Sequence, residues 1–515
     1  MVINGSRVSE NPAKDVTQEV GQKLLLFERI GPARFEHLAP MGELLPHLLD
    51  AVGKVKRFQV RLKDVRFAAV NFDPDRTWRS LQQRPALVKI LSNIGWLTAD
   101  KLLRMGMGLL VGVWVARYLG PEQFGLINYA SAFVSLFAVL ATLGLNSIVV
   151  RDLVTAPDHA GLTLGTAAML QLLGGLLAFA LVLVSIWLAR PDDGTTQGIV
   201  AILGSSLLFK ATETASYWFE AQVQSKYVVW ANNAAFLTFI AVKIILILAN
   251  APLNTFVWAM LGETVLAALA VLTMFVSRGP GLTLLSIQSA RARTLLRDSW
   301  PLILSGLAVA FYMKIDQIML GQMLGDEAVG VYSAAVRISE VWYFIPMSIV
   351  ASLFPAIIDA KTISESLYYQ RFQRLYDLMV WLSLAIALPM TFLSNSLITF
   401  LYGTAYAEAG LVLAVHIWAS VFVFLGVASS QWFIVENRQI LSLQRTALGA
   451  FVNVGLNLIL IPGLGILGAA MATVVAQSAA AIFFDLLNRE TRPMFAMKMR
   501  ALNPLRLVTA NVLHS

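Results

Sequence analysis

Twelve long apolar stretches dominate this chain between Ile90 and Asn488. A bilayer core about 30 Å thick is crossed by about 20 mostly apolar residues in a helix, and each stretch reaches that length. Charged residues make up 14% of the chain, whereas a soluble domain carries about 25%. The sequence therefore predicts an all-α polytopic membrane protein with about 12 transmembrane helices. The predicted spans are 92–118, 126–150, 163–189, 197–219, 227–249, 253–276, 300–322, 328–356, 375–401, 408–435, 440–461 and 464–487.

Basic residues concentrate in alternate connections between the spans. They are Arg151, Lys226, Arg278, Arg291, Arg293, Arg297, Lys361, Arg371, Arg374 and Arg438, with Arg445 just beyond the last of these connections. The other connections carry only Arg117 and Arg190. Because short cytoplasmic loops hold the excess of lysine and arginine, both termini and the basic connections are predicted to be cytoplasmic. The same rule explains the net charge of +8 without a nucleic-acid partner.

The predicted domain organisation follows from these spans. Residues 1–88 are polar and are interpreted as a cytoplasmic N-terminal extension, either disordered or an over-long start assignment. Two sets of six spans, 89–276 and 300–488, form two predicted lobes joined by a cytoplasmic linker at 277–299. Residues 489–515 are predicted to be a basic cytoplasmic tail. The residues from Met1 to Val20 lack the apolar core of a signal peptide.

A short motif occurs once in each predicted lobe. Leu119–Gly125 and Leu324–Gly330 both read L-G-x-E-x-x-G, with an offset of 205 residues. Each copy lies in the turn that leads from the first span of its set to the second. Two parallel six-span halves related by an axis along the membrane normal are a transporter arrangement, with the substrate path between the lobes.

Segments around both turns resemble the Wzx-type polysaccharide biosynthesis flippases. The segments are Trp114–Gly125, Ser147–Leu153, Lys314–Gly321 and Gly330–Ala335. The resemblance covers about residues 88–490 and extends to the superfamily that holds the MATE exporters and MurJ-type lipid II flippases. It implies two six-helix lobes, alternating access, and transfer of undecaprenyl-diphosphate-linked oligosaccharides out of the cytoplasmic leaflet. The implied location is the bacterial cytoplasmic (inner) membrane, and the implied pathway is O-antigen or exopolysaccharide synthesis, in which polymerase or chain-length proteins are candidate partners.

Several cations lie near the middle of predicted spans, where a charge costs about 2.5–3.5 kcal/mol on insertion scales. The candidate substrate-binding cations are Lys101, Arg104, Lys210, Lys243 and Arg337. Lysine and arginine form charge-assisted bonds to phosphate oxygens, so a cavity that holds them would suit a diphosphate headgroup. The alternative is that they form ion pairs that fix helix packing.

The spacing of acids and bases indicates which ion pairs could form. Within single helices, the candidate pairs are Asp100–Arg104, Lys210–Glu213 and Arg337–Glu340. Lys243 and Glu263 flank the turn between spans 5 and 6 at depths that a lysine could bridge. Lys314 and Asp316 point in different directions and need partners elsewhere. Glu263, Asp316 and Glu340 are candidates for ion coupling, since buried carboxylates can carry protons in exchange. Spans 9–12 are expected to hold almost no buried charge.

Motifs of the common enzyme classes are missing. The chain has no phosphate-binding G-x-x-x-x-G-K-[ST] loop, no H-E-x-x-H and no G-x-S-x-G. It has no cysteine, which excludes disulfides and thiolate metal sites. We therefore expect neither an enzyme nor a cofactor. The alternative to a lipid-linked oligosaccharide flippase is an ion-coupled MATE-like exporter of small molecules.

Overall fold

The described part of the chain is helical throughout. The computed structural model describes residues 85–281 and 285–503. The predicted N-terminal extension at 1–88 and the last part of the predicted tail lie almost entirely outside these residues. From Lys89 onward, the chain belongs to one compact unit.

The helices follow one another with short connections. In the N-terminal half they are α1 Pro85–Thr142, α2 Asn146–Thr155, α3 Ala160–Ala189, α4 Gly194–Gly204, α5 Glu213–Ala221, α6 Lys226–Leu248 and α7 Leu253–Arg278. In the C-terminal half they are α8 Ser289–Met323, α9 Asp326–Glu340, α10 Phe344–Ile363, α11 Glu365–Tyr402, α12 Ala409–His416, α13 Ala419–Val435, α14 Gln439–Ser478, α15 Phe484–Leu487 and α16 Arg492–Leu502. Single 3₁₀ segments are Pro157–His159, Ser205–Thr212, Val341–Tyr343 and Thr404–Tyr406, and a π-helical segment is Ala479–Phe483.

Ten helical segments in the described residues are long and apolar enough to cross a membrane. Two of them, 61 and 49 residues long, each contain a glycine with non-helical backbone angles. Gly120 has φ 76° and ψ 171°, and Gly465 has φ 58° and ψ −138°, a region that only glycine enters readily. At the second bend the chain folds back on itself. This brings the two sides into close contact, since a Cβ at Gly468 would lie 2.5 Å from the carbonyl oxygen of Leu460.

The two copies of the repeated motif contact each other. A Cβ on Gly125 would lie 2.7 Å from the backbone nitrogen of Gly330, and one on Gly330 would lie 3.0 Å from that of Gly125. Each glycine also meets a backbone carbonyl of the other copy, that of Asp326 or of Pro121. The sequence places the motif at equivalent points of the two halves, and the structure shows that the motifs pack directly against one another.

The linker between the halves is partly helical and docks on the N-terminal half. Helix α8 begins at Ser289 and not at 300 as the sequence predicts. Arg291, near its start, forms an ion pair of 2.5 Å with Asp152 of α2. Asp152 also accepts a bond of 2.9 Å from Arg151. The preceding residue Ser286 donates its backbone N–H to Gly161 O at 3.3 Å.

The expectation that spans 9–12 hold almost no buried charge is wrong. Lys498 and Asp485 are both completely buried and form an ion pair of 2.6 Å. Lys498 also donates to Ala481 O of the π-helical segment at 2.6 Å, and Arg445 of α14 is 9% exposed. Lys498 lies in the predicted tail, where α16 packs against α11. Part of that tail is therefore an integral helix, because a buried carboxylate at the end of span 12 holds its lysine.

Apolar packing joins the two halves around the contact between the repeated motifs. The largest hydrophobic cluster includes residues of α1, such as Ala116 and Phe124, together with Tyr332 of α9 and Tyr402 of α11. Tyr406 of the second half donates its hydroxyl to Ala116 O at 2.7 Å. The described halves thus meet at the end of the bundle that carries the repeated motifs.

Candidate functional site

A cavity of about 490 Å³ lies between the two halves. Its walls come from both segments of α1 and from α8, α9 and the start of α10. The charged residues of the lining are Arg104, Lys314, Arg337 and Glu340, and its polar residues are Asn128, Ser131, Gln317 and Ser333. Three cations and one carboxylate therefore line a common space.

Arg104 is partly paired and keeps a free donor. Its Nε donates to Asp100 at 2.8 Å, one turn away on α1. The guanidinium lies 5.0 Å from the ring centroid of Phe236. Its Nη2 is buried without a hydrogen-bond partner among the described residues. A buried cationic donor without an acceptor is costly, and an anionic group in the cavity would satisfy it.

Arg337 extends from the second half to the first. Its guanidinium contacts the position of Gly112 on α1 and lies 5.9 Å from the ring centroid of Phe124. The predicted pair with Glu340 is wrong in this structure, since no ion pair joins these two among the described residues. The spacing of three residues allows that pair, but the arginine contacts the facing helix α1 instead.

Asp316 lies behind the cavity wall and is 5% exposed. Its carboxylate accepts hydrogen bonds from the Tyr332 hydroxyl at 2.5 Å and from Thr473 Oγ1 at 3.1 Å. The partners that Asp316 needs therefore come from α9 and α14.

The remaining predicted cations do not line this cavity. Lys210 and Glu213 form an ion pair of 2.7 Å, and Lys243 and Glu263 form one of 2.8 Å, both within the N-terminal half. Lys101 is exposed. Both ion pairs, Lys210–Glu213 and Lys243–Glu263, are those that the sequence spacing predicts.

Sequence reasoning missed several lining residues. The sequence marks Lys314 only as a cation that needs a partner, and it gives no prediction for the uncharged polar residues Asn128, Ser131, Gln317 and Ser333. The sequence does carry a signal, since Asn128 with Ser131 and Lys314 with Gln317 are spaced three apart, which places each pair on one helix face.

Comparison with known proteins identifies the family. The model of the family described as "Polysaccharide biosynthesis protein" matches residues 90–361. The chain belongs to this family. This is the family of the Wzx-type flippases, so the protein is a transporter and not an enzyme.

Individual relatives of this flippase-family chain are distant. A probable low-salt glycan biosynthesis flippase of Haloferax volcanii is 21% identical over 383 residues, which cover 72% of this chain and 77% of that protein. The succinoglycan biosynthesis transport protein ExoT of Rhizobium meliloti is 25% identical over 273 residues, which cover 52% of this chain and 53% of that protein.

Solved structures show the same fold. A multidrug resistance MATE transporter in an inward-facing conformation aligns with a TM-score of 0.63 and 17% identity, covering 79% of this chain and 99% of that one. The lipid II flippase MurJ aligns with a TM-score of 0.60 and 11% identity, covering 82% and 93%. The family member described here therefore has the MATE- and MurJ-like fold.

Proposed function

We propose that this protein is a flippase that moves undecaprenyl-diphosphate-linked oligosaccharide repeat units across the bacterial cytoplasmic membrane for O-antigen or exopolysaccharide synthesis. The observation that carries the proposal is the cation-lined cavity between the halves, in which Arg104 keeps a buried donor without a partner. The printed descriptions of the two relatives, a glycan biosynthesis flippase and a succinoglycan biosynthesis transport protein, agree with this substrate class.

The cavity offers different groups to the two polar parts of such a substrate. Arg104, Lys314 and Arg337 would bind the diphosphate, because cationic donors form short, strong bonds to phosphate oxygens. Amide and hydroxyl groups suit sugar hydroxyls; Asn128 and Gln317 supply the amides, and Ser131 and Ser333 supply the hydroxyls. The predicted cations Lys101, Lys210 and Lys243 would act outside this cavity, either at its approach or as structural charges.

The transport cycle we propose is alternating access between two lobes of six helices. The long helices that bend at Gly120 and Gly465 would each cross the membrane twice, which turns ten helical segments into twelve spans. Both termini would then be cytoplasmic. Its protein partners would be a polysaccharide polymerase or chain-length proteins.

Asp316 is the best candidate for ion coupling. It is buried beside the cavity and tied to α9 and α14 by Tyr332 and Thr473, so a change in its protonation or ion occupancy would alter contacts between three helices. Glu340 faces the cavity itself, whereas Glu263 is already paired with Lys243. Unchanged transport in Asp316→Asn would contradict this role.

The test is reconstitution into proteoliposomes with a fluorescent undecaprenyl-diphosphate oligosaccharide, with leaflet exchange followed by quenching. Arg104→Ala and Arg337→Ala should each slow exchange about tenfold or more, because each removes charge-assisted bonds to the headgroup. Arg117→Ala is the matched control, since Arg117 is an exposed arginine on the same helix as Arg104.

Two outcomes would contradict the proposal. Exchange that persists in both cavity variants would remove the cationic site. Absence of exchange, together with uptake of a small cationic dye driven by a pH gradient, would assign the chain to the MATE-like exporter class.

A further inference from the structure

Arg190 connects the two halves at the end of the bundle where the repeated motifs meet. It follows α3 in the N-terminal half, and its guanidinium donates to both carboxylate oxygens of Asp326 at 2.8 and 3.0 Å. Asp326 begins α9 and lies inside the second copy of the motif. This bidentate geometry is the strongest form of the arginine–carboxylate pair.

Further contacts fix the same guanidinium. Nη2 donates to Gly321 O at 2.8 Å, a carbonyl in the last turn of α8. The cation lies 4.0 Å from the ring centroid of Tyr129, a completely buried residue of α1. Tyr129 in turn accepts a bond of 2.6 Å from Gln322. Within its own half, Arg190 is held by Asp193 and Thr196 at 3.4 and 3.2 Å.

The Arg190–Asp326 pair is largely shielded from water. The Arg190 side chain is 12% exposed and that of Asp326 is 19% exposed, so water screens the pair only weakly. Burial lowers the pKa of the Arg190 guanidinium, but its bonds to Asp326 outweigh that effect and raise the pKa overall.

The glycines of the repeat allow the closure that Arg190 holds. Gly125 and Gly330 are in backbone contact, and a Cβ on either would overlap a carbonyl of the other motif. The two halves can approach this closely only because neither residue has a side chain. Opening this end of the cavity requires the glycine contact to separate and the Arg190–Asp326 pair to break together.

We propose that Arg190, Asp326 and the paired glycines form a latch that holds this end of the substrate cavity shut. The face that carries the latch is the one predicted to lie outside the cytoplasm. Opening at this face is the step of the proposed alternating-access cycle that releases substrate, and in that sense the latch rests on the proposed function. The latch itself is a property of the protein without substrate, and it can be tested without one.

Cysteine accessibility gives a direct readout, because the chain contains no cysteine. Ser131→Cys places a single thiol in the cavity lining. A membrane-impermeant maleimide is applied from each side of oriented vesicles. Thr195→Cys, an exposed position on the latch face, establishes on which side that face lies.

In the parent, the cavity thiol should react slowly from the latch face. Adding Arg190→Ala should raise that rate about tenfold or more, as expected for the loss of a charge-assisted bidentate pair. Gly125→Val should raise it as well, by preventing the backbone contact without changing any charge. Arg117→Ala, which alters the other arginine of this face, should leave the rate unchanged.

The outcomes separate the latch from the transport proposal. Reaction from the opposite face should persist in every variant, which shows that the protein is folded and inserted. If Arg190→Ala and Gly125→Val both leave the rate from the latch face at the parent value, the latch is wrong whatever the substrate. If both raise it while no lipid-linked oligosaccharide exchanges, the latch stands and the proposed substrate falls.

Discussion

Replacing Lys498 with methionine should destabilise the protein, although the residue lies in what reads as a polar tail. The Lys498 ammonium is completely buried, 2.6 Å from the Asp485 carboxylate and 2.6 Å from Ala481 O. The second Asp485 oxygen has no hydrogen-bond partner among the described residues. The single substitution would therefore leave a buried carboxylate without a countercharge, which costs about 3–5 kcal/mol.

Removing both charges should have a much smaller effect. The desolvation of two buried ions can exceed their mutual attraction, so apolar replacement of such a pair is often neutral or stabilising by about 1–4 kcal/mol. The double variant Lys498→Met with Asp485→Leu is expected to lose no more than about 1 kcal/mol of stability relative to the parent. The opposite responses of the single and double variants distinguish a buried ion pair from a general packing defect.

The pH dependence gives an independent check of the sign. Burial lowers the pKa of Lys498 from 10.5 to about 8, and Asp485 offsets only part of this effect. Between these two pH values the unfolded chain holds a proton that the folded chain has released, so stability rises with pH across this window. Below about pH 8 both states are protonated and the contribution is constant. The increase is at most about 3 kcal/mol, and the double variant should lack it.

Thermal unfolding of the purified protein in detergent, followed by circular dichroism, measures these effects. Arg500→Met is the matched control, because Arg500 is an exposed cation on the same helix; it should leave Tm unchanged. A single Lys498→Met variant as stable as the parent would refute the reasoning, as would a double variant that is as unstable as the single one.

Three further predictions concern the connections and helix packing. Asp193 caps α4 by accepting from the Thr196 N–H at 2.9 Å, so Asp193→Ala should lower stability at pH 7 by about 0.5–2 kcal/mol. Burial raises the pKa of Asp193, but the bonds from Thr196 and Arg190 outweigh this effect and hold the pKa below 3.8. The difference in Tm between Asp193→Ala and the parent should therefore shrink as pH falls through that lowered pKa. Asp152→Asn should weaken the tie to Arg291 and raise the rate of tryptic cleavage at Arg291 and Arg293 several-fold, whereas Asp158→Asn should not. Gly449→Val should destabilise by about 1–3 kcal/mol, because its Cβ would lie 2.8 Å from the Tyr312 ring; Gly455→Val, where nothing lies within 4 Å, is the control, and both are compared by Tm.

The membrane helices could be predicted because span length and hydropathy are local properties. The sequence also places a turn near Gly120, between spans 1 and 2, and near Gly465, between spans 11 and 12. In the structure each turn is a bend at a single glycine, and the chain is helical on both sides of it. The start of α8 could not be predicted from hydropathy, because residues 289–299 are polar. Their helix is stabilised by contacts with α2, notably that of Arg291 with Asp152.

The ion pairs show where local reasoning ends. Asp100–Arg104 and Lys210–Glu213 form because their spacing places both charges on one helix face. Arg337 and Glu340 have the same spacing and do not pair. The position of the Arg337 side chain depends on Gly112, a residue of the other half. Because Gly112 has no side chain, there is room for the guanidinium against α1.

The cavity depends in the same way on contacts between distant segments. Polar spacing alone marks Asn128 with Ser131, and Lys314 with Gln317, but it does not say that the two pairs line the same cavity. They do so because the repeated motifs beyond them meet at Gly125 and Gly330, which brings the α1 segment after the bend against α9 and the end of α8. The repeat was visible in the sequence as a sign of two related halves. Its contact with itself is what turns separate polar helix faces into one cation-lined space.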